Sequence, residues 1–268
     1  MLTTVAAVVD IAPSPSISSL FGLDGRVAIV TGASSGLGAR FARVLHAAGA
    51  TVIASARRTE RLAALAEELG DRVHPVTADV GNDDDCERLV ATATEIGGRL
   101  DVLVNNAGIG YTGAAETEPV GTFRKVVEVN LNAVFVLSQL AYEPLRQSGH
   151  GSIINIASIL GLNASAPIKQ ASYCASKGGV VNLTRELGCQ WARRGIRVNA
   201  IAPGWFPTEM TEDMWSDAGS IEFVKRNAPM GRAGLDHELD GVLLFLASDA
   251  SSYVVGQTIA VDGGWDAR

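Results

Sequence analysis

Few residues of this chain carry the chemistry that disulfide frameworks, metal centres or nucleic-acid contacts require. Cysteine occurs only three times, at Cys86, Cys174 and Cys189, without metal-ligand or CxxC spacing, so buried free thiols in a reducing compartment are expected. Basic residues are outnumbered, because 22 Lys and Arg stand against 29 Asp and Glu. The net charge of −7 offers no field for a phosphate backbone or an anionic bilayer. The sequence therefore predicts no nucleic-acid partner, no membrane partner and no metal site.

Long apolar runs are also missing. The run from Val5 to Val9 follows no basic segment, and Asp10 interrupts it before it reaches a spanning length. We therefore expect a cytoplasmic protein in which residues 1–19 form a flexible N-terminal arm, with a partner-binding arm as the alternative. Residues 20–268 are enough for one sizeable core and need no second domain.

Glycine is abundant and aromatic residues are scarce, at 29 glycines and 6% aromatics, which suits a buried aliphatic sheet with many tight turns. Short Val- and Ile-rich runs alternate with longer segments of three- and four-residue apolar spacing, typical of βαβ units. This pattern predicts an α/β protein with a single doubly wound, Rossmann-type parallel sheet of about seven strands and helices on both faces. The predicted strands are 26–30, 51–55, 72–77, 100–104, 152–156, 197–201 and 257–261, and the predicted helices are 36–48, 59–68, 83–96, 122–145, 172–194 and 236–246.

The turn after the first strand carries glycine at positions 32, 36 and 38 and leads into a helix. Backbone N–H groups and the positive end of that helix would face a ligand above the strand, so a pyrophosphate fits there. Glycine permits the tight turn, the approach of phosphate and the packing of helix on strand. A plain tight turn between strand and helix is the alternative interpretation.

The end of the second strand indicates which dinucleotide is preferred. Folds that favour NAD place an acidic residue here, against the adenosine ribose, but this chain has Ala56, Arg57 and Arg58. A guanidinium can pair with a 2′-phosphate, so NADP is predicted as the preferred cofactor, with NAD possible. Asp79 and Val80, after the third strand, are placed to meet the adenine. A solvated arginine face and a helix-capping aspartate are the alternatives.

Tyr173 and Lys177 form an i, i+4 pair on one face of a long predicted helix. Tyrosine, with an ordinary pKa of about 10, is a poor base at neutral pH, and a neighbouring ammonium lowers that value. Further polar residues follow neighbouring strands, with Asn106 after strand four, Ser158 after strand five and Asn130 in the helix between them. Open α/β sheets bind ligands at these carboxyl ends, so the pair predicts a proton-transfer site there.

The chain resembles the short-chain dehydrogenase/reductase family over about residues 20–263. The motifs that carry the resemblance, in chain order, are the glycine turn, Asn105-Asn106-Ala107-Gly108, Ser158, Tyr173 with Lys177, and Pro203-Gly204. The resemblance implies an NAD(P)-dependent oxidoreductase that interconverts a secondary alcohol and a ketone by hydride transfer. It also implies a homotetramer, or a homodimer, with the helix after Tyr173 and residues 261–264 at its interfaces.

The resemblance also implies a role for each catalytic residue. Tyr173 would be the acid when a ketone is reduced and the base when an alcohol is oxidised. Lys177 would lower the pKa of Tyr173 and bind the nicotinamide ribose, and Ser158 would hold the substrate oxygen. Asn130 would anchor a water that relays protons to Lys177.

Residues near the dinucleotide are implied in the same way. Thr208 would bond the carboxamide, with Phe206 against the nicotinamide ring. The complete set expected around the cofactor is Gly32, Ser34, Ser35, Gly36, Leu37, Gly38, Arg57, Arg58, Asp79, Val80, Asn106, Ala107, Gly108, Tyr173, Lys177, Pro203, Gly204, Phe206 and Thr208.

The chain departs from the family pattern at two places. Ser158 precedes Tyr173 by fifteen positions where about thirteen is common, which predicts an enlarged loop at 163–170. Ser165 is the alternative to Ser158, although only Ser158 follows the strand directly. Phe206 stands where a smaller aliphatic residue is usual, which changes the expected shape around the nicotinamide.

Residues 204–229 lack a strong period and contain large apolar side chains, so they are predicted to form a substrate lid. An apolar, fairly bulky ketone or secondary alcohol is the expected substrate; packing of these side chains within the lid or against another subunit is the alternative. Reduction of a 3-oxoacyl thioester, on acyl carrier protein or CoA, is a second enzymatic interpretation. A nucleotide-binding regulator or scaffold without turnover, and a methyl-transfer enzyme, are others, but neither has a use for the Tyr173 and Lys177 pair.

Overall fold

Seven parallel strands form the centre of the computed structural model, which describes residues 15–268. They lie in the order β3-β2-β1-β4-β5-β6-β7, which confirms the predicted doubly wound sheet. The strands are β1 (Val27–Thr31), β2 (Thr51–Ala56), β3 (Val73–Thr77), β4 (Val102–Asn105), β5 (Ser152–Ile156), β6 (Arg197–Pro203) and β7 (Thr258–Val261).

Helices cover both faces of this sheet. They are α1 (Ile17–Phe21), α2 (Gly36–Ala47), α3 (Thr59–Leu69), α4 (Asp83–Gly97), α5 (Val120–Val127), α6 (Ala133–Leu140), α7 (Tyr142–Ser148), α8 (Ala171–Trp191), α9 (Glu212–Ser216), α10 (Ala218–Asn227) and α11 (Asp240–Ala247).

Hydrophobic clusters on both faces hold the helices to the sheet, and the two largest contain β1 residues. On one face Phe41 of α2 and Leu243 of α11 belong to the same buried cluster as Val30 of β1. On the other face Leu89 of α4 packs in the cluster that contains Ile29 of the same strand. Successive side chains of a strand point to opposite faces, so the uninterrupted apolar run of β1 serves both cores. Each fully buried side chain of this size contributes about 1.5–3 kcal/mol to folding.

The predicted helix 122–145 is divided into segments. A π-helical turn, Glu128–Asn132, separates α5 from α6, and α7 follows with its own start at Tyr142. A π turn has one extra residue in its hydrogen-bonded ring, and such turns are frequent at functional sites. Apolar residues keep a helical spacing across the junction, which is why the sequence pattern did not reveal it.

The proposed boundary between arm and domain falls inside a short helix. Ser16 caps α1, since its hydroxyl accepts a hydrogen bond from the Ser19 amide at 3.1 Å. The predicted arm is therefore helical at its end, and its residues 1–14 lie outside the part that the structure describes.

The segment predicted as a lid is also more regular than its sequence indicated. Instead of a loop throughout, residues 204–229 contain a 3-10 turn, Glu209–Thr211, and the helices α9 and α10. Asp217 starts α10 by accepting a hydrogen bond from the Ser220 amide at 2.7 Å. Among residues 15–268, no helix is both long enough and apolar enough to cross a membrane.

Candidate active site

The glycine turn between β1 and α2 has a backbone that only glycine adopts without strain. Gly32 and Gly36 have φ angles of +68° and +51°. At Gly38 a Cβ atom would lie 2.2 Å from the carbonyl oxygen of Gly32, closer than any real contact. The turn therefore packs tightly on the helix that follows it and leaves an open cradle above.

A threonine joins this turn to the neighbouring strand β4. The hydroxyl of Thr31 accepts hydrogen bonds from the backbone amides of Asn106 and Ala107, both at 3.0 Å. In return, the Asn106 side chain donates to the Thr31 carbonyl at 2.8 Å. The sequence placed Thr31 in the turn motif without giving it this role.

The first turn of α2 has donors available for an anionic ligand. Ser35 occupies the N-cap position but makes no side-chain capping hydrogen bond, so the first backbone amides of the helix keep their capacity to donate. These amides, together with the glycine cradle, fit the pyrophosphate of a dinucleotide.

The arginines after β2 have different surroundings. Arg57 is exposed and makes no side-chain hydrogen bond or ion pair with residues 15–268. The guanidinium of Arg58 donates to Ser34 at 3.1 Å, to Ser35 at 2.6 Å and to Glu209 at 2.9 Å. Glu209, which the sequence did not identify as a site residue, is the first residue of the 3-10 turn in the lid.

Three of the predicted catalytic residues converge at the carboxyl end of β5. Ser158 follows that strand directly, Tyr173 lies in the first turn of α8, and Lys177 lies one turn further along the same helix. Ser158 lies close enough to Tyr173 for its hydroxyl to lower the pKa of the phenol. The Ser158 hydroxyl also accepts a hydrogen bond from the Leu160 amide at 3.1 Å, which fixes its position.

Burial governs the protonation of this group. Tyr173 lines two cavities but is otherwise surrounded by protein, and this desolvation raises its pKa, with partial compensation from the nearby Ser158 hydroxyl. Lys177 is only 4% exposed, and burial lowers its pKa from 10.5 to about 8. The lowering of the Tyr173 pKa by Lys177 stays a prediction, since burial is the larger effect and sets the direction of the shift.

The Lys177 ammonium faces backbone and ring atoms rather than a carboxylate. It donates to the carbonyl oxygen of Ile156 at 2.6 Å and lies 5.7 Å from the centroid of the Tyr173 ring. This position keeps a positive charge next to the phenol at neutral pH.

Asn130 lies in the π-helical turn and is fully buried behind the cleft. Its side-chain oxygen accepts from the Ile109 amide at 2.8 Å, and its nitrogen donates to the Ile109 carbonyl at 2.9 Å and to Ser176 at 3.1 Å. A Cβ atom on Gly108 would lie 3.3 Å from this oxygen and 3.7 Å from the Lys177 nitrogen. Asn130 is therefore close to Lys177, while the water relay stays a prediction.

A cleft of about 320 Å³ runs from the glycine turn to Tyr173 and Lys177. Its lining includes every residue that was expected around the cofactor, from Gly32 to Thr208. It also includes residues outside that set, among them Lys125, Glu209, Met210 and Thr211. Lys125 is far from the recognised motifs in the sequence. Glu209, Met210 and Thr211 directly follow Thr208 but belong to no motif that could have identified them.

A second cavity of about 740 Å³ lies on the other side of Tyr173 and Ser158. Its wall is apolar at Ile159, Leu160, Ile168, Trp205 and Met214, and polar at Thr112, Lys169, Gln170 and Asp213.

The loop predicted as enlarged, 163–170, forms part of this wall. It is tied to the opposite loop by a hydrogen bond from the Gly113 amide to the Lys169 carbonyl, at 2.8 Å. Ser165 lines neither cavity, and its hydroxyl donates to the Ile168 carbonyl at 2.6 Å. The position of Ser158 thus suits a substrate oxygen and that of Ser165 does not. Among residues 15–268, no group of three or more His, Cys, Asp or Glu side chains could hold a metal ion.

Comparison with known proteins gives consistent relationships over nearly all of this chain. A protein family described as enoyl-(acyl carrier protein) reductase matches residues 32–266. The 3-oxoacyl-[acyl-carrier-protein] reductase of Rickettsia felis is 38% identical over 242 residues, which cover 90% of this chain and 97% of that protein.

Solved structures are similar to this chain in fold as well as in sequence. A short-chain type dehydrogenase/reductase from Mycobacterium marinum has a TM-score of 0.90 at 35% identity, covering 94% of this chain and 100% of the other. A gluconate 5-dehydrogenase from Burkholderia cenocepacia, in complex with NADP and tartrate, has a TM-score of 0.89 at 36% identity, with the same coverage of both chains.

Proposed function

This chain belongs to the short-chain dehydrogenase/reductase family, and from that premise we propose that it interconverts a secondary alcohol and a ketone with NADP(H) as preferred cofactor. Membership makes it an NAD(P)-dependent oxidoreductase acting on CH–OH groups. The proposal adds the catalytic residues, the cofactor preference and the kind of substrate.

The observation that carries the proposal is the position of Tyr173 between two cavities. One cavity begins at the glycine turn, the other lies beneath the lid, and Tyr173 and Ser158 line both. A hydride donor in the first and a carbonyl group in the second would meet at these side chains. The bound nicotinamide would supply or accept the hydride.

Each residue of the group has a distinct part in reduction. Tyr173, whose raised pKa keeps it protonated at neutral pH, donates its proton to the carbonyl oxygen. Ser158 hydrogen-bonds the same oxygen as negative charge develops on it. Lys177, charged below about pH 8, stabilises the phenolate that remains and reaches the cofactor ribose. Oxidation uses the same groups in reverse.

Preference for NADP(H) rests on the basic residues next to the adenosine end of the cleft. Arg57 is exposed and lines the cleft without a partner among residues 15–268, so its guanidinium can pair with a 2′-phosphate. No acidic residue ends β2, where Ala56 stands. The Burkholderia cenocepacia relative is described in complex with NADP.

The substrate cavity favours a fairly bulky carbonyl compound with one apolar side. Its large volume and its apolar wall at Leu160, Trp205 and Met214 suit a chain or ring longer than a few carbon atoms. Thr112 and Gln170, which hydrogen-bond each other at 3.2 Å, supply polar contacts on the opposite wall.

Reduction of a 3-oxoacyl thioester is a second candidate, favoured by the similarity to the Rickettsia felis reductase. The deciding assay compares a panel of free ketones with 3-oxoacyl thioesters of CoA and of acyl carrier protein, following absorbance of the reduced nicotinamide. The proposal requires a higher kcat/KM for at least one free ketone than for both thioesters. Higher values for the thioesters would favour the second candidate, and no oxidation of either cofactor with any substrate would contradict both.

Assembly and location complete the proposal. Large apolar side chains are exposed on α5 and α6, at Val120, Phe123 and Phe135, which suits the expected homotetramer or homodimer. Light scattering after size exclusion would measure the mass of the assembly directly.

The free cysteines agree with the expected cytoplasmic location.

A further inference from the structure

A carboxylate of the lid reaches across the cofactor cleft to the basic residues next to β2. One oxygen of Glu209 accepts from Arg58 at 2.9 Å, and the other is paired with Arg61. Arg58 in turn donates to the Ser35 hydroxyl, at the N-cap of α2, at 2.6 Å. The contacts join residues that lie far apart in the chain, and they connect the lid to two separate elements of the cofactor cleft.

The donors gathered around Glu209 are those that bind phosphate. Guanidinium groups form paired hydrogen bonds with carboxylates and with phosphates in the same geometry, and serine hydroxyls donate to both. Hydrogen bonds from Arg61 and Arg58, together with the nearby Ser35 hydroxyl, lower the pKa of Glu209 to about 2, so this group is an anion at any working pH. The carboxylate thus occupies a place that suits the 2′-phosphate of NADP(H).

Arg58 has three of its five N–H donors in use while Glu209 is in place. Its guanidinium donates to Ser34 and Ser35 as well as to Glu209. Arg57, by contrast, has no such partner within residues 15–268. A phosphate that approaches Arg57 would gain the Arg58 N–H that now faces Glu209 by replacing that carboxylate.

We infer that Glu209 competes internally with the 2′-phosphate, and that it holds the start of the lid on Arg58 and Arg61 until NADP(H) displaces it. The inference rests on the proposed use of NADP(H), and it makes Glu209 a determinant of cofactor preference. Thr208, whose side chain lies 3.5 Å from the position of a Cβ atom on Gly36, precedes Glu209 directly. Release of Glu209 would therefore loosen the lid where it covers the glycine turn. NAD(H), which lacks that phosphate, would leave the contact intact.

The test measures the Kd of NADP⁺ and of NAD⁺ by calorimetry for the wild-type protein and for Glu209→Gln. Glutamine keeps the size of the side chain but removes its charge. The matched control is Glu212→Gln, since Glu212 is exposed in α9 and its side chain bonds no residue of the described part. Glu209→Gln should tighten NADP⁺ binding about threefold to tenfold, the effect of removing one or two exposed ion pairs, while NAD⁺ changes by less than about twofold. Glu212→Gln should change neither Kd.

Hydrogen exchange of residues 209–216 provides a second readout, independent of affinity. In the wild-type protein this segment should be less protected with NADP⁺ bound than with NAD⁺ bound, and in Glu209→Gln the difference should vanish. Equal effects of the substitution on both cofactors, or weaker NADP⁺ binding, would overturn the inference while leaving the proposed function intact. If the wild-type protein binds neither dinucleotide, both proposals fail.

Discussion

Lys177 allows the catalytic group to be tested without a substrate, through the stability of the folded protein. Burial lowers the pKa of Lys177 from 10.5 to about 8, so the folded and unfolded chains hold its proton over different ranges of pH. Below about pH 8 both forms are protonated, and the folded protein bears the cost of a buried charge. Between pH 8 and 10.5 the folded protein has released a proton that the unfolded chain still binds. Stability contributed by this group therefore rises with pH across that window.

The size of the effect follows from the separation of the two pKa values. They differ by about 2.5, from 10.5 less about 8, and each pH unit corresponds to about 1.36 kcal/mol. Relative to a variant without the amine, the wild-type protein should gain about 3 kcal/mol of unfolding free energy over the whole window. Lys177→Met is the suitable variant, because it keeps most of the volume of the side chain.

The assay is urea unfolding of both proteins, without cofactor, at intervals from pH 7 to pH 10. The difference in unfolding free energy should stay level to about pH 8 and then move in favour of the wild-type protein. Lys225→Met, at an exposed position of α10, is the control, and its difference from the wild-type protein should be level throughout. A level difference for Lys177→Met as well, or one that moves against the wild-type protein, would refute the reasoning from burial.

Three further variants test the candidate catalytic group, the cofactor preference and the cofactor cleft. Tyr173→Phe should remove nearly all turnover, because the transferable proton is lost. Cofactor affinity should be unchanged, because the ring packs as before. Turnover within a few fold of wild type, measured by nicotinamide absorbance, would contradict the assignment. The double variant Ala56→Asp with Arg57→Ala should change the preference, measured as the kcat/KM ratio, from NADP(H) to NAD(H). A contact of about 1.5–3 kcal/mol to the 2′-phosphate is lost, and a carboxylate that repels this phosphate is gained. A wild-type enzyme that already prefers NAD(H) by about tenfold would show that Arg57 does not bind the 2′-phosphate. Gly38→Ala should lower the unfolding midpoint and weaken dinucleotide binding measured by calorimetry, because its Cβ would lie 2.2 Å from a backbone oxygen of the turn. Gly121→Ala, in α5 with open space around it, should not lower the midpoint and should leave binding unchanged.

Sequence patterns predicted the central sheet well because its inner strands are buried on both faces. The apolar run of β1 and the alternation of strand and helix leave few other arrangements. The position of Tyr173 and Lys177 was equally accessible, since an i, i+4 pair needs only the helix that carries it. Features that depend only on residues close together in the chain can therefore be predicted from the sequence.

Contacts between distant segments could not be read in the same way. Glu209 and Arg58 are 151 positions apart, and no local pattern links them. The π turn around Asn130 adds a residue without breaking the apolar spacing of its helix. The raised pKa of Tyr173 depends on how much protein surrounds it, which the identity of Lys177 alone did not reveal.

The hydroxyl of Thr31 has a consequence for the order in which the protein acquires its shape. Its hydrogen bonds reach backbone amides that lie 75 and 76 positions further along the chain, directly after the adjacent strand β4. A long loop must therefore close before the cradle exists, and contacts of such high sequence separation form slowly. Early in folding the dinucleotide therefore has no complete surface to which it could bind. Once bound to the complete cradle, the dinucleotide would chiefly lower the unfolding rate and would leave the folding rate almost unchanged.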